Sequence, residues 1–360
     1  MLALSLPADF SGSILIVRRD NIGDLVCTTP LIAGLRTRFP KARIEALVNS
    51  YNAQVLMRNP MLDAIHVYTK LKHRGVGESV WSAVLDRLRL IWRLRQKRFD
   101  IAILARSGFD RHGLALVKWL RTGQVIGFAP TDGSSSTLTV AIPPMDNSRF
   151  HEVEVVARLA QSLGPVPAEG PLHLYPDSEA LVTWQRRFSG HKKMVAVHIS
   201  AREASRRLPE AKWIEVIKGL CRSMPAAGIA LFWSPGSEDD PRQPGDDGMA
   251  GRVLQALSGL PVEPCPTQEL NELMAGLAAC HLFVGADGGA LHMAVGVGLP
   301  CAALFENSPF KKVHWAPWQV PHEIVAPTTF AIGDLSPEQI IAAACRLGEK
   351  AGLIQDGANP

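Results

Sequence analysis

Short apolar runs alternate with longer amphipathic stretches along this chain, and the alternation predicts its fold. Strands are predicted in the first half by apolar runs at 14–17, 44–48, 65–68, 101–104 and 125–128. Helices are predicted between or after them, at 30–39, 80–97 and 151–164. In the second of these helices Leu85, Leu88 and Trp92 recur at helical spacing. Residues 132–148 are rich in Ser, Thr, Asp and Pro and are predicted to form a loop.

The same alternation restarts after a stretch rich in Pro and Gly at 164–179, which we interpret as a linker. Further strands are predicted at 194–199, 229–233, 282–284 and 301–305, and further helices at 212–221, 268–279, 288–296 and 336–352. Two successive series of alternating strands and helices predict an α/β protein with two doubly wound domains. We expect domains at 1–170 and 171–330, with 331–360 as a helix and tail that packs back on the first domain.

Composition narrows the class of protein. Of the 360 residues, 47% are hydrophobic and 20% are charged, which is typical of a globular protein with ordinary cores. Residues 1–175 carry a net charge of +8 and the remainder −4. The basic half indicates either an anionic partner, such as a phosphorylated lipid or sugar, or a solvated helix face.

The six cysteines are scattered without metal-like spacing, which favours free thiols in a reducing compartment. The sequence shows neither a signal-peptide pattern nor an apolar run long enough to span a membrane, so we expect a cytoplasmic protein. There is also no GxGxxG after the first strand of either half, no GxxxxGK[ST] and no HExxH. These absences count against a dinucleotide oxidoreductase, a P-loop enzyme and a zinc protease, and no metal site is expected.

The strand-to-helix turn near the start of the chain carries the most informative residue. The run ILIV is followed by RRDNIGD and then by a helix that has Pro30 near its start. Such an edge is where α/β proteins place chemistry, so Asp24 is a candidate catalytic carboxylate. The alternative is a capping carboxylate, because Asp is favoured at helix N-termini for structural reasons alone.

Three segments of the second half follow predicted strands and carry polar groups. The first, HISAREASRRLP, contributes Ser200, Arg202 and Arg206, and arginine is suited to phosphate because its fork of donors matches phosphate oxygens. The alternative is a basic surface loop. The second, FWSPGSEDD, offers Glu238 as a ligand for ribose hydroxyls, or as a solvated loop acid.

The third segment, FVGADGGALHMAVGVGLP, joins a strand to a helix through Asp287, Gly288 and Gly289. Two glycines at a helix start expose backbone N–H groups to an anion, and Asp287 can accept hydrogen bonds from sugar hydroxyls. His292 lies one turn into this helix, where a lone histidine is more often structural than functional.

Taken in order, these segments resemble glycosyltransferase family 9, the ADP-heptose:lipopolysaccharide heptosyltransferases. The N-terminal stretch is similar to the family's GD-x-V-x-T-x-P turn. LPEAKWIEVIKGL is similar to the segment after its phosphate loop, and FVGADGGALHMAVGVGLPCAALF to its VG-x-D-[ST]-G signature. The resemblance implies a GT-B fold, in which two Rossmann-like domains face a cleft. It also implies a metal-independent, inverting transfer of heptose from ADP-heptose to the lipid A–core acceptor, with no cofactor besides the donor.

The resemblance also implies roles for single residues. Asp24 corresponds to the catalytic base and Asp287 to the donor-sugar ligand. The implied diphosphate ligands are Ser200, Arg202, Arg206, Gly288 and Gly289, and the implied ribose and adenine ligands are Glu238 and Met274. The basic residues of loop 69–79 are candidates for contacting acceptor phosphates or are solvated: Lys70, Lys72 and Arg74. The implied partners are an ADP-sugar and an anionic glycolipid, with peripheral contact at the inner membrane and no nucleic acid.

The chain departs from the family pattern around the implied donor site. Gly288 stands where a Ser or Thr is usual, Leu208 replaces a Trp, and Glu306-Asn307-Ser308 replaces Gly-Pro-Thr. Two other readings therefore stay open. One is a family transferase with another sugar or a protein or glycan acceptor, and the other is a non-catalytic protein that binds sugar nucleotides on the same fold.

Overall fold

The structure is a computed structural model that describes residues 4–68, 80–134, 137–240 and 244–354; within 80–84 it describes the backbone only. The chain divides into two compact units, Met1–Tyr175 and Pro176–Pro360. The sequence placed this boundary at 170/171. Each unit is described by itself below.

The first unit is a six-stranded parallel sheet with helices between the strands. Its strands are β1 (Ser13–Val17), β2 (Arg43–Asn49), β3 (Ala64–Tyr68), β4 (Ile101–Leu104), β5 (Gln124–Phe128) and β6 (Val140–Ile142). Its helices are α1 (Ile22–Val26), α2 (Thr29–Arg38), α3 (Val80–Lys97), α4 (Arg111–Leu120) and α5 (Glu152–Ala160). The sheet order is β3-β2-β1-β4-β5-β6, with Ile14 paired to both Ile44 and Ile101.

The second unit repeats this architecture. Its strands are β7 (Lys193–His198), β8 (Ala227–Trp233), β9 (Val262–Pro266), β10 (Leu282–Ala286), β11 (Cys301–Leu304) and β12 (His322–Val325). Its helices are α6 (Ser178–Arg187), α7 (Glu210–Ser223), α8 (Asp247–Ala256), α9 (Leu270–Ala278), α10 (Gly289–Gly296), α11 (Pro309–His314) and α12 (Pro337–Lys350). The sheet order is β12-β11-β10-β7-β8-β9, and every strand pair is parallel.

Both sheets reverse the direction of strand addition at one point, between β1 and β4 in the first unit and between β7 and β10 in the second. Helices cover parallel sheets on both faces, so the central strands are continuous apolar runs, as in β1, where every residue is buried. The predicted α/β class with two doubly wound sheets is confirmed. Ligands of such sheets bind beyond the carboxyl ends of the strands at the reversal point.

Local predictions failed where the signal was short. The predicted loop 132–148 contains β6, an edge strand of only three residues that a periodicity argument cannot detect. The turn after β1 is itself a short helix, α1, because Asn21 and Asp24 close a capping box around its first turn.

The expectation that the C-terminal helix and tail pack back on the first domain stays a prediction, since residues 355–360 lie outside the described residues. α12 packs within the second unit, against α7 and strands β10, β11 and β12. Its apolar side, which includes Ile340 and Leu347, is buried in the core that Trp213 and Leu220 of α7 share. The two helices approach closely at Gly219, where a Cβ would come within 2.2 Å of Ile341 Cδ1. The helix belongs to this core because its apolar residues recur at helical spacing and are buried together on one side.

All six cysteines are free thiols, as the sequence predicts. No helix in the part of the chain that the structure describes is both long and apolar enough to cross a membrane.

Candidate active site

A buried arginine organises the turn between β1 and α1. The Arg18 side chain is 1% exposed, and its Nη2 donates to Asp24 Oδ1 at 2.5 Å and to Glu152 Oε1 at 2.7 Å. Its Nη1 donates to the carbonyl of Ala105, just after β4. Burial lowers the pKa of Arg18, but the surrounding carboxylates raise that pKa by more, so the guanidinium stays charged. The turn after β1 is therefore tied to the end of β4, on the other side of the reversal point.

Asp24 serves as both a cap and an ion-pair partner. Its Oδ2 accepts a hydrogen bond of 3.0 Å from the backbone N–H of Asn21, while its Oδ1 accepts from Arg18. Burial alone would raise the pKa of Asp24, but Arg18 and the Asn21 N–H hold that pKa below its ordinary value of 3.8. The carboxylate is ionised at neutral pH and its side chain is 14% exposed. Capping and catalysis are thus compatible at this residue, since one oxygen caps the helix and the side chain still reaches solvent.

The backbone of the turn is held by two buried asparagines that sequence analysis did not select. Asn49 at the end of β2 donates to the carbonyls of Arg19 and Asp20 at 3.1 and 3.0 Å. Asn52 donates to the carbonyls of Asp20 and Asn21 at 3.1 and 3.3 Å. These bonds satisfy the carbonyls of three successive residues and so fix the path along which the chain approaches Asp24.

Asp20 is a second carboxylate of the same turn, which the sequence analysis overlooked. Its Oδ2 lies 3.5 Å from Arg18 Nε, and its side chain is 26% exposed. Burial raises the pKa of Asp20 above its ordinary value, although Arg18 and Arg106 pull in the opposite direction. The signal that would have found it is its position two residues after the arginine at the end of β1. Asp20 is the natural control for any role assigned to Asp24.

In the second unit, the ends of β7 and β10 meet in the same way. The Arg206 Nη1 lies 3.2 Å from the carbonyl of Asp287 and 3.5 Å from its Oδ2. Gly288 and Gly289 begin α10 directly after Asp287. The structure thus brings three sequence-selected features together: a guanidinium, a carboxylate and a helix N-terminus. Backbone N–H groups at such a terminus attract anions.

Glu306 completes this cluster. It follows β11, is 2% exposed, and accepts hydrogen bonds from the Ser205 hydroxyl, from Arg206 Nε at 3.2 Å and from Lys311 Nζ. Burial raises the pKa of Glu306, but Lys311, Ser205 and Arg206 together lower it below the ordinary value. In the sequence Glu306 stands out only as a departure from a family pattern, because Lys311 is five residues away but Arg206 comes from a segment 100 positions away.

The remaining selected residues of the second unit lie in different settings. The Ser200 hydroxyl accepts from the backbone N–H of Ser234 at 2.8 Å, so it ties the loop after β7 to the loop after β8. Arg202 is exposed. Glu238 is 45% exposed and pairs with Arg252 at 3.2 Å. Met274 is 1% exposed on α9, and its assignment as an adenine ligand stays a prediction.

His292 is buried beside Asp287. Its Nε2 lies 3.9 Å from Asp287 Oδ1, and its ring packs edge-on against Trp315 with centroids 5.6 Å apart. His292 is therefore a packed, buried histidine that also faces Asp287, the carboxylate predicted to bind the donor sugar.

Three selected residues, Lys70, Lys72 and Arg74, lie outside the described residues. Across the described ranges, no group of three or more His, Cys, Asp or Glu side chains is placed to hold a metal ion.

Comparison with known proteins identifies the class that this fold and site define. A sequence model of glycosyltransferase family 9 (heptosyltransferase) matches residues 87–334. The chain therefore belongs to glycosyltransferase family 9 and is a glycosyltransferase.

Among its relatives is lipopolysaccharide heptosyltransferase 3 of Escherichia coli, which is 24% identical over 310 residues and 82% of each chain. A crystal structure of a family 9 glycosyltransferase from Veillonella parvula superposes with a TM-score of 0.79 at 18% identity, covering 96% of this chain and 99% of that one. The Escherichia coli ADP-heptose lps heptosyltransferase II superposes with a TM-score of 0.72 at 18% identity, covering 94% and 99%. At these identities the superpositions establish the shared fold.

The buried Arg18 cluster predicts a large and pH-dependent loss of stability on its disruption. Replacing Arg18 by Met is expected to lower the free energy of unfolding at neutral pH by about 3–5 kcal/mol, because it leaves buried carboxylates without a counter-charge. The pKa of Asp24 is lowered from 3.8 in the folded protein. The stabilisation that ionised Asp24 gives the wild type is therefore complete above pH 3.8 and is lost as the pH falls through the lowered pKa. The difference in free energy of unfolding between wild type and Arg18→Met should therefore become smaller in acid. Urea denaturation from neutral pH to below pH 3.8, followed by circular dichroism, measures this difference in free energy of unfolding.

Arg89→Met is the matched control, since Arg89 and its partner Asp86 are 71% and 70% exposed. An exposed pair contributes little, so its unfolding midpoint should stay near that of the wild type. Arg18→Lys keeps the charge but not the fork of donors and should lie in between. Equal midpoints for Arg18→Met and Arg89→Met would contradict the assigned role of the cluster.

Proposed function

We propose that this protein transfers a heptose from ADP-heptose to the inner core of lipopolysaccharide, on a lipid A–core acceptor, with inversion and without a metal ion. The observation that carries the proposal is Asp24, an ionised and partly exposed carboxylate held in one orientation by Arg18 and by the first turn of α1. Family membership and the lipopolysaccharide heptosyltransferase relative support the choice of substrates. So does the ADP-heptose named for the superposed Escherichia coli enzyme.

In the proposed mechanism, Asp24 takes the proton from the acceptor hydroxyl while that oxygen attacks the anomeric carbon of the donor. The bond from the anomeric carbon to the ADP oxygen breaks in the same step, so the configuration inverts and no covalent intermediate forms. Arg18 orients the carboxylate but does not meet the substrate, because its guanidinium is 1% exposed. A base placed in this way contributes about 100- to 10,000-fold to the rate.

The leaving ADP gains negative charge as the bond breaks, and the second unit is proposed to stabilise it. Arg206, which is 25% exposed, would pair with the diphosphate, and the N–H groups at the start of α10 would donate to it. Lys311, held beside Arg206 by Glu306, would add a second cation. Asp287 would accept hydrogen bonds from sugar hydroxyls, and Glu238 from the ribose. We further propose a cytoplasmic enzyme with peripheral contact at the inner membrane, where an anionic glycolipid acceptor resides.

A second candidate is a family 9 transferase that uses another sugar. Glu306 favours it, since Glu306-Asn307-Ser308 stands where Gly-Pro-Thr is usual in the family. The buried Glu306 carboxylate, with its bonds to Ser205, Arg206 and Lys311, changes the charge around the implied donor site. Donor identity is therefore the point that an experiment must decide first.

A panel of nucleotide sugars distinguishes the two candidates by thermal stabilisation. A ligand at 100 times its dissociation constant stabilises the folded state by about 2.7 kcal/mol, which is a shift of several degrees for a domain of this size. ADP-heptose is expected to raise the melting temperature more than UDP-glucose or GDP-mannose at equal concentration. A larger shift with the UDP or GDP sugar would overturn the ADP assignment and favour another donor.

Replacing Asp24 by Asn should abolish most turnover without affecting donor binding. The amide keeps the shape but cannot accept the proton, so a loss of about 100- to 10,000-fold in kcat is expected. Turnover is measured as release of ADP in the presence of acceptor, and donor affinity by calorimetry. Asp20→Asn removes the same charge from the same turn and should stay within about tenfold of wild type. The reverse pattern would make Asp20 the base.

Arg206→Ala should weaken binding of ADP. Loss of a hydrogen bond between charged groups amounts to about 1.5–3 kcal/mol, which corresponds to roughly 10- to 100-fold in affinity. Arg207→Ala is the matched control. Arg207 is next to Arg206 in the sequence, but its guanidinium donates to the Ala201 carbonyl at the exposed edge of the loop. Isothermal calorimetry with ADP measures both variants, and equal affinities would exclude Arg206 as a diphosphate ligand.

A further inference from the structure

The outer face of α3 is apolar where a solvated helix would be polar. Leu85, Leu88 and Trp92 are 50%, 57% and 62% exposed, and their spacing of three and four residues places them along one stripe. On the other side of the same helix, Leu90 and Leu94 are 8% and 1% exposed and belong to the core of the first unit. The helix therefore has one apolar side that the unit buries and a second that it leaves open.

The neighbouring helix α4 exposes a further large aromatic side chain. Trp119 is 69% exposed, and its carbonyl accepts a hydrogen bond of 2.6 Å from Arg95 of α3. That bond, together with the packing of α3 on α4, brings the C-terminal halves of the two helices together. We call Leu85, Leu88, Trp92 and Trp119 the α3–α4 patch. Indole rings are large hydrophobes with a single N–H donor, and two with most of their surface in water are a feature that needs a partner.

Positive charge surrounds the patch. Between residues 85 and 98 the chain carries six Arg and Lys residues against a single acid, Asp86. Arg93, Lys118 and Arg121 are exposed, and Arg89 is 71% exposed. A partner for this surface must therefore be apolar at its centre and negatively charged at its rim.

An anionic bilayer surface has both properties. Tryptophan favours the level of the lipid headgroups, leucine favours the acyl boundary below it, and arginine pairs with lipid phosphates above it. A second copy of the chain fits less well, because a contact between two identical patches would set their cationic rims against each other.

We infer that the α3–α4 patch is the surface by which this enzyme docks on a membrane that contains anionic lipids. The inference rests on the proposed function, since it gives the peripheral contact of a glycolipid-modifying enzyme a place on the molecule. The docking lies in the first unit, and it requires no ligand at Asp287 or Arg206 of the second.

Vesicle binding of the full-length protein tests the inference. Vesicles of phosphatidylcholine alone and of phosphatidylcholine with phosphatidylglycerol are sedimented with the protein, and partition coefficients are measured at low and high salt. The wild type is expected to bind the phosphatidylglycerol vesicles and to be released by salt, because salt screens the arginines. The double variant Trp92→Ser/Trp119→Ser and the double variant Arg89→Glu/Arg93→Glu should each bind at least about tenfold more weakly.

Two control variants change the same chemistry elsewhere. Phe330→Ser removes an aromatic side chain that is 55% exposed in the second unit, and Arg222→Glu reverses an exposed charge on α7. Both should bind vesicles within about twofold of wild type, since neither lies on the patch. Circular dichroism confirms that each variant is folded.

The outcomes separate the inference from the proposed function. A wild type that binds neither vesicle, or a Trp92→Ser/Trp119→Ser variant that binds as wild type does, overturns the docking surface. So does a dimer in sedimentation velocity that the same variant dissociates, because it assigns the patch to a second copy of the chain. Stabilisation by ADP-heptose is measured alongside on the patch variants and should be unchanged. If the donor panel fails while the patch still governs vesicle binding, the donor assignment falls and the surface stands.

Discussion

The first unit depends on neutralising one buried guanidinium. Arg18 is 1% exposed, and an isolated charge at such a depth would cost several kcal/mol. Its partners come from three places: Asp24 on α1, Glu152 at the start of α5 and the Ala105 carbonyl after β4. Since each must lie within bonding distance of one planar group, the arginine fixes the position of Asp24 relative to the sheet. The proposed chemistry uses a carboxylate whose orientation is set by this requirement.

The second unit contains a comparable cluster at the same point of its sheet, with a different degree of exposure. Arg206 is 25% exposed and is shared between Asp287 and Glu306. A fully buried cation such as Arg18 can only organise its surroundings, whereas a partly exposed one can also meet a ligand. This difference, rather than residue type, separates the orienting role of Arg18 from the binding role proposed for Arg206. Both clusters lie where the strand order reverses, which is where a parallel sheet leaves room beyond its strand ends.

Structural features that a few consecutive residues determine could be predicted from the sequence. The strand, turn and helix around Asp24, and the Asp287-Gly288-Gly289 start of α10, are each contained in a few residues. The partners of those residues were not predictable, because they come from distant segments: Glu152 lies 134 positions from Arg18, and Glu306 lies 100 from Arg206.

The solvent exposure of individual side chains could not be predicted from the sequence either. Leu88 and Leu90 are the same residue type two positions apart on α3, yet they are 57% and 8% exposed. Met274 on α9 is 1% exposed, and this burial could not be read from its place in a sequence motif. Whether a helix residue is buried depends on what packs against its face of the helix. The periodicity of apolar residues shows where the faces are but not which elements pack against them.

The packing of α12 has a consequence for co-translational folding. The first sheet is complete once residue 142 of β6 has been synthesised, whereas the core of the second unit includes Ile340, Ala344 and Leu347 of α12. During translation, which proceeds at roughly 5–20 residues per second, the earlier unit can close its core while the later one is still being made. The face of α7 around Gly219, which α12 covers, stays open until the ribosome has delivered α12. In the nascent chain, that apolar surface therefore stays in contact with water for longer than the core of the first unit does.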